Sequence, residues 1–165
     1  MRNFIFTVLT SLFLSSCGGG SSGKSGPVYQ QPTEYNPSLS PVSTLKGSTW
    51  GLKEISPSGM VSEITFDFKN TGILEVSNRC SLGNDMTGVS AQTPFSEFPV
   101  LNDQGSPTGT GRIAVFSDAE SEVDLNGESC HVSIDSDTLI YMISGSKTLL
   151  HSERFSTEFT FYRIR

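Results

Sequence analysis

Alternation of apolar and polar residues dominates the chain after residue 44. In residues 64–68, Ile-Thr-Phe-Asp-Phe, every second side chain is apolar, and a period of two is typical of a strand with one buried face. Residues 48–55 and 73–80 flank this run and predict two more strands, with turn residues between them. No segment carries an apolar stripe at the 3.6-residue period of a helix beyond a turn or two. The pattern therefore predicts an all-β domain.

Turn signals divide this domain into about eight to ten short strands. Asn126-Gly127, between two alternating runs, is the strongest hairpin signal in the chain. Residues 81–120 are less regular and predict strands over 89–92, 95–101 and 113–116, with a Gly/Pro-rich loop over 102–111. We expect a small antiparallel up-and-down barrel of about eight strands, because closure removes exposed strand edges. A two-sheet β-sandwich is the alternative.

The N-terminus has the pattern of an export signal. Arg2 precedes an apolar run over residues 4–14, which is shorter than the roughly 20 residues that a spanning helix needs. The run Leu14-Ser15-Ser16-Cys17 resembles a bacterial lipobox. This resemblance implies that residues 1–16 are a lipoprotein signal peptide and that Cys17 is lipidated, with membrane lipid as a partner. An ordinary signal peptide with a chance cysteine is the alternative. Gly18 in place of Asp implies, by the same resemblance, anchoring in the cell envelope at the outer membrane.

Residues 17–43 join the lipidation site to the domain. They begin with a Gly/Ser-rich stretch and continue with four prolines, Pro27, Pro32, Pro37 and Pro41. Such compositions form flexible or extended linkers. We therefore predict a tether over residues 17–43 and a single domain over residues 44–165.

Two further cysteines lie inside the domain. Cys80 is in phase with Leu74 and Val76, and Cys130 is in phase with Val132 and Ile134, so both thiols should face the apolar interior. An exported protein folds in an oxidising compartment, where such a pair forms a disulfide. The alternative is two free, buried thiols.

Both ends of the domain resemble a known family. Residues 45–52, Leu-Lys-Gly-Ser-Thr-Trp-Gly-Leu, look like the opening strand of bacterial lipocalin-like (calycin-type) domains, and residues 159–164 look like their last strand. META-type envelope lipoproteins open with a similar Gly…Trp-x-Leu run. The lipocalin resemblance implies that Trp50 packs at the closed end of the barrel beneath a cation from the last strand, Arg163 or Arg165, through a cation–π contact.

The remaining sequence carries few signs of catalysis. The Cys-x-x-Cys pair and the His-Glu-x-x-His motif are missing from the sequence. The acidic residues over 118–128 lack calcium-loop spacing, so we predict a solvated face and no metal. The formal net charge of −6 argues against nucleic acid as a partner. We therefore predict a protein that is not an enzyme and needs no cofactor.

Two functions stay open at this point. The first is a membrane-anchored envelope lipoprotein that binds a small apolar ligand inside its barrel. Its candidate lining residues are the aromatic side chains Phe66, Phe68, Phe116, Tyr141, Phe159 and Phe161. The alternative is that these aromatics fill a solid core. The second is a structural or inhibitory envelope protein that acts by contact with another envelope protein, through its acidic surface and residues 81–111.

Overall fold

The computed structural model describes residues 26–152 and 157–165. The predicted signal peptide and Cys17 lie outside these residues. The described residues form eleven strands: β1 (Val28–Gln30), β2 (Ser48–Ile55), β3 (Val61–Phe68), β4 (Ile73–Leu82), β5 (Asp85–Leu101), β6 (Pro107–Val115), β7 (Ala119–Leu125), β8 (Glu128–Ile134), β9 (Thr138–Ser144), β10 (Lys147–Ser152) and β11 (Thr157–Arg163). The described residues contain no helix long and apolar enough to cross a membrane.

Eight of these strands form a closed antiparallel barrel. Its order is β2-β3-β4-β5-β6-β9-β10-β11, and β11 returns to pair with β2. Neighbours in space are mostly neighbours in sequence, as hairpin connections require. The predicted all-β up-and-down barrel of about eight strands is confirmed, and the architecture is compatible with a lipocalin-like barrel. The β-sandwich alternative does not describe it.

The barrel closes through a short seam. Strands β2 and β11 pair at only two positions, Trp50 with Arg163 and Gly51 with Tyr162. Beyond Gly51, β2 still pairs with β3 but no longer with β11. The free edge of β2 pairs instead with β1, through Val28, Tyr29 and Gln30. The structure gives no pairing between β1 and β11 among the described residues. The barrel wall is therefore split on one side.

One end of the barrel is closed by the chain that enters β2. The side chain of Leu45 is fully buried there, and Val42 packs against the same core. The Glu97 carboxylate accepts hydrogen bonds from the backbone N–H groups of Leu45 and Lys46, the first at 2.7 Å. These bonds satisfy the backbone of the closing segment, which would otherwise be costly to bury. We refer to this end as the closed end and to the opposite one as the mouth end.

Trp50 and Arg163 meet at the closed end. The Trp50 side chain is fully buried, and the Arg163 guanidinium lies 6.0 Å from the centroid of its ring. Arg163 also donates hydrogen bonds to the carbonyl oxygens of Ser40 and Arg165. The guanidinium therefore joins the first barrel strand, the last one and the entering segment. Burial lowers the pKa of Arg163 from its ordinary value, but an arginine stays charged in spite of this.

The hairpin of β7 and β8 stands apart from the barrel wall. It turns at Asn126-Gly127, both with positive φ (57° and 86°), which is the type of turn predicted from this dipeptide. It packs against β4 and β5 at the mouth end, where Val132 and Ile134 join the barrel core. The Cys80–Cys130 disulfide holds β8 to β4. The predicted disulfide is therefore supported by the structure.

Two regions differ from the sequence-based expectations. Residues 89–92 and 95–101 belong to one continuous strand, β5, and the predicted loop over 102–111 is shorter because β6 begins at Pro107. A register shift between Pro99 and Leu101 interrupts the pairing of β5 with β6, and such irregularities blur the period-two pattern.

The described part of the predicted tether is not a plain spacer. It contains β1, and farther on the Tyr35 hydroxyl lies 2.7 Å from Ser146 Oγ while its ring packs edge-on against Tyr162. Pro32 is buried. These contacts give residues 28–43 the apolar burial and hydrogen bonds that offset the entropy lost on ordering a Pro-rich segment.

Removal of the disulfide should destabilise the protein. The two cysteines are 50 residues apart in sequence, and in the chain-entropy model a cross-link over such a loop stabilises by about 4 kcal/mol. We expect the double variant Cys80→Ala/Cys130→Ala to lose about 2–5 kcal/mol in urea unfolding. Hydrogen exchange of the β7–β8 hairpin should accelerate more than that of the closed end. Equal acceleration everywhere would contradict a local role in holding the hairpin.

Candidate functional site

The interior of the barrel differs between its two ends. At the closed end Trp50, Phe68 and Tyr141 are fully buried, and the Phe68 ring packs edge-on against Phe95 with centroids 5.4 Å apart. Burial and the nearby Glu97 carboxylate both raise the pKa of Tyr141, so its hydroxyl stays protonated. This half of the interior is a solid core.

Toward the mouth end the inward-facing side chains keep some accessible surface. We call this region the mouth lumen; it is lined by Ile64, Phe66, Leu139 and Phe159. All four pack against the core, yet each is only partly buried. Phe68 and Phe161, in the same phase on their strands, are buried, and so are Ser62 and Glu54 farther toward the mouth end. The mouth lumen is therefore a local apolar surface of four side chains that solvent partly reaches.

A side crevice lies at the split in the barrel wall. Its volume is about 360 Å³, and it opens between β1 and β11. Its lining residues are Tyr29, Gln30, Leu52, Glu158, Phe159, Thr160 and Tyr162. Phe159 lines both the crevice and the mouth lumen. The crevice exists because β2 and β11 separate beyond Gly51, and β1 covers the edge of β2 without pairing to β11.

Glu54 is the unusual residue beside this crevice. It follows Trp50 and Leu52 on the inward face of β2, and only 8% of its surface is exposed. Its Oε2 atom is buried and has no hydrogen-bonding partner in the part of the chain that the structure describes. Burial raises the pKa of Glu54 to about 7, because removal from water disfavours the charged form.

Tyr29 faces Glu54 from the neighbouring strand. The two residues are directly paired in the register of β1 with β2, and the Tyr29 side chain packs against the core. Its hydroxyl is also buried without a partner among the described residues. Burial, and then the charge of Glu54, raise the pKa of Tyr29. Two unsatisfied polar groups therefore lie side by side next to the crevice, which is rare in folded proteins.

The six predicted ligand-lining aromatics fall into three groups. Phe66 and Phe159 line the mouth lumen. Phe68, Tyr141 and Phe161 belong to the buried core, although Phe161 touches Phe66 with ring centroids 4.7 Å apart. The prediction for Phe116 is wrong: the residue is 59% exposed. It follows the inward-facing Val115 at the end of β6, so alternation turns its side chain outward.

A second cleft, of about 540 Å³, lies on the outer face of β3, β4 and β5. Its wall includes Arg79 and Glu63, which form an ion pair, and the Glu63 carboxylate also accepts hydrogen bonds from Thr33. These contacts lower the pKa of Glu63. Arg79, Glu63 and Thr33 therefore satisfy one another, whereas the Oδ1 atom of Asn78, another lining residue, is buried without a partner among the described residues.

The predicted acidic face lies on the β7–β8 hairpin. Its carboxylates bond locally: Asp124 accepts from the backbone N–H of Gly127, and Glu122 accepts from the Ser129 hydroxyl. Within residues 26–152 and 157–165, no group of three or more His, Cys, Asp or Glu side chains is placed to hold a metal ion. His131 lies on the same hairpin, where its carbonyl oxygen accepts a hydrogen bond from Asn78.

Sequence reasoning missed both Glu54 and Tyr29. An acidic residue in the apolar phase of β2 was a usable signal, because Trp50, Leu52 and Glu54 alternate with outward positions. Tyr29 lies in a Pro-rich stretch with no strand pattern, and its position depends on pairing with β2. That pairing is a long-range contact that local sequence does not specify.

Glu54 should make the stability of the protein depend on pH. Its pKa is about 7 in the folded protein against an ordinary value of 4.5, so the folded state binds the proton more tightly than the unfolded state. The contribution of Glu54 to stability should be fully present below about pH 4.5 and should fall by up to about 3 kcal/mol as the pH rises to about 7. Glu54→Gln should remove this fall and make the protein more stable at about pH 8.

Glu75→Gln is the matched control. Its carboxylate lies on the outer face and pairs with Lys69, which lowers the pKa of Glu75. A lowered pKa makes stability rise with pH, so Glu75→Gln should leave the fall in stability that Glu54 causes in place. The measurement is urea unfolding at several pH values. An unchanged pH profile in Glu54→Gln would show that the carboxyl is hydrated in solution.

Comparison of the chain with known protein families, with curated proteins and with solved structures finds no match in any of the three.

Proposed function

We propose that this protein is a lipid-anchored envelope protein, not an enzyme, that holds a small apolar ligand in the mouth lumen of a lipocalin-like barrel. The observation that carries the proposal is the partial exposure of four inward-facing apolar side chains, Ile64, Phe66, Leu139 and Phe159, beside an open crevice. A barrel of about eight strands has an interior wide enough for side chains alone or for one small ligand. Here the closed end is filled, and four inward-facing side chains toward the mouth end keep accessible surface.

The energetics fit a short hydrocarbon ligand. Each CH₂ group that leaves water contributes about 0.8 kcal/mol, and the association cost takes back several kcal/mol. The crevice, at about 360 Å³, is at the small end of the range for ligand sites. A chain of roughly eight carbons is therefore expected to bind weakly, because most of its hydrophobic gain offsets the association cost.

The lipocalin-like assignment has support at the closed end. The stacking of Arg163 over the buried Trp50 is the arrangement that the family resemblance implies. The lipoprotein assignment rests on the lipobox-like run that ends at Cys17 and on the apolar stretch before it. Under this proposal the anchor holds the barrel at the outer membrane, where membrane lipid is its permanent partner.

A second candidate function is contact with another envelope protein. Part of the outer barrel surface is apolar and exposed: Phe98, Val100, Leu101 and Met142 are each more than half accessible. Three of them lie within residues 81–111, the segment predicted to form a contact face. A structural or inhibitory role through this surface would not need an empty lumen.

Blocking of the mouth lumen tests the ligand function. Leu139→Trp should fill the lumen and weaken binding of 1-octanol at least tenfold. Met142→Trp, on the same strand but exposed on the outer face, should bind 1-octanol as the unmodified chain does. Isothermal titration calorimetry with the full chain in phosphatidylcholine nanodiscs, corrected with empty nanodiscs, measures both.

Thermal unfolding of both variants checks that they remain folded. If the unmodified chain binds no 1-octanol, the ligand function is overturned and the protein-contact function becomes the better supported one. If Leu139→Trp is folded and binds normally, the ligand lies elsewhere and the assignment to the mouth lumen is wrong.

Mass spectrometry of the protein from its own membrane tests the anchor. The expected mass is that of the chain from Cys17 onward with attached acyl groups and one disulfide. The variant Cys17→Ser should lose the acyl mass and leave the membrane fraction, because stable membrane attachment needs more than one acyl chain and this variant would carry none. A chain that still begins at Met1, or one without acyl groups, would contradict the lipoprotein proposal.

A further inference from the structure

We propose that Glu54 and Tyr29 form a head-group site for a cationic amine on the apolar ligand, and that this ligand enters through the side crevice between β1 and β11. The inference rests on the proposed ligand function and adds the chemical class of the ligand and its route. It starts from two buried polar atoms, Glu54 Oε2 and Tyr29 OH, that lack partners among the described residues.

The two groups are well placed to act together. They occupy directly paired positions on neighbouring strands, and cross-strand pairs of this kind have their Cβ atoms about 4.5–5.5 Å apart. Tyr29 also lines the crevice, as does Leu52, two residues before Glu54 on the same face. A head group that passes Tyr29 and Leu52 therefore arrives beside the Glu54 carboxyl.

No protein cation occupies this position among the described residues. On β3, the inward-facing neighbour of Glu54 is Ser62, whose hydroxyl contacts Cys80 Sγ. On β11 the inward-facing residues are Phe159, Phe161 and Arg163. Arg163 pairs with Trp50, and Trp50 is four residues, or about 13 Å, from Glu54 along β2. The Arg163 cation therefore lies far from Glu54. On β1 the only titratable group is Tyr29.

The charges around the crevice favour a cation over an anion. Glu158 is the charged member of the lining residues, and the whole chain has a formal net charge of −6. One cation, Lys147, lies against the lining, with its Nζ atom 5.5 Å from the centroid of the Tyr162 ring. An ammonium group donates three hydrogen bonds and accepts none, so it can satisfy Glu54 Oε2 and the Tyr29 oxygen at once. A carboxylate ligand would bring a second negative charge next to Glu54 and would be repelled once Glu54 ionises.

The pH dependence of binding follows from the same pair. The free protein holds Glu54 with a pKa of about 7, and a bound ammonium favours the ionised carboxylate, so binding releases a proton. Affinity for the amine should therefore increase as the pH rises through this value. Tyr29 does not blur this signal, because burial raises its pKa. Glu158 also lines the crevice, and the Glu54→Gln variant separates its contribution from that of Glu54.

The test compares three probes with the same eight-carbon chain: octylamine, 1-octanol and octanoate. Titration calorimetry uses the full chain in phosphatidylcholine nanodiscs at about pH 5.5 and about pH 8.5. We expect octylamine to bind about tenfold or more tightly at the higher pH, whereas 1-octanol should change less than twofold. Octanoate should bind more weakly at the higher pH.

Two variants and one control assign the effect to the pair. Glu54→Gln should abolish the pH dependence and weaken octylamine binding about tenfold or more, with 1-octanol binding preserved. Tyr29→Phe should weaken octylamine binding several-fold, because one hydrogen bond to a charged group is lost. Glu75→Gln, on the outer face of β4, should match the unmodified chain.

The outcomes separate this inference from the function on which it rests. If 1-octanol binds but octylamine binds no better at the higher pH, the head-group site is overturned and the lumen stands. If no probe binds, both proposals fail. If octylamine binding is pH-dependent in Glu54→Gln as in the unmodified chain, another carboxylate holds the amine and the assignment to Glu54 is wrong.

Discussion

The barrel of this protein depends on how two strands meet and then part. Strands β2 and β11 share only the pairs at Trp50 and Gly51, so the wall is closed at one end and split toward the other. A Cβ atom at Gly51 would lie 2.6 Å from the movable Cδ1 atom of Ile164 and 3.2 Å from the carbonyl oxygen of Ile64. Glycine therefore relieves crowding at one of the two paired positions that close the seam.

The two ends of the barrel follow from this asymmetry. Near the seam, Trp50, Arg163 and the entering segment pack into a solid core that water does not reach. Beyond it, β1 must complete the edge of β2, and it is only three residues long. A three-residue strand cannot also bridge to β11, so a crevice is left open. On the other side of the mouth end, the disulfide-held hairpin supplies the cover that the wall lacks.

The sequence predicted those features that local pattern determines. The bounds of β2, the alternation in β3 and β4 and the turn at Asn126-Gly127 follow from period and turn chemistry, and the inward phase of Cys80 and Cys130 is sufficient to indicate the disulfide. It did not predict the role of residues 28–43, because a Pro-rich segment has no strand pattern. Phe116 was misplaced because one residue beyond the end of β6 reverses the side that a side chain faces.

The candidate site was the least predictable feature, for a physical reason. Glu54 alone is a common acidic residue, and Tyr29 alone is an aromatic in a linker; they acquire meaning only when β1 pairs with β2. A buried carboxyl without a partner lowers stability and does not help the barrel to fold. Tyr29 adds a second orphaned group at the same place, whereas the outer-face carboxylates Glu63 and Glu75 have cationic partners. Since Glu63 and Glu75 have cationic partners and Glu54 has no hydrogen-bond partner among the described residues, the proposed amine would supply that partner from outside the chain, through the split that the short seam creates.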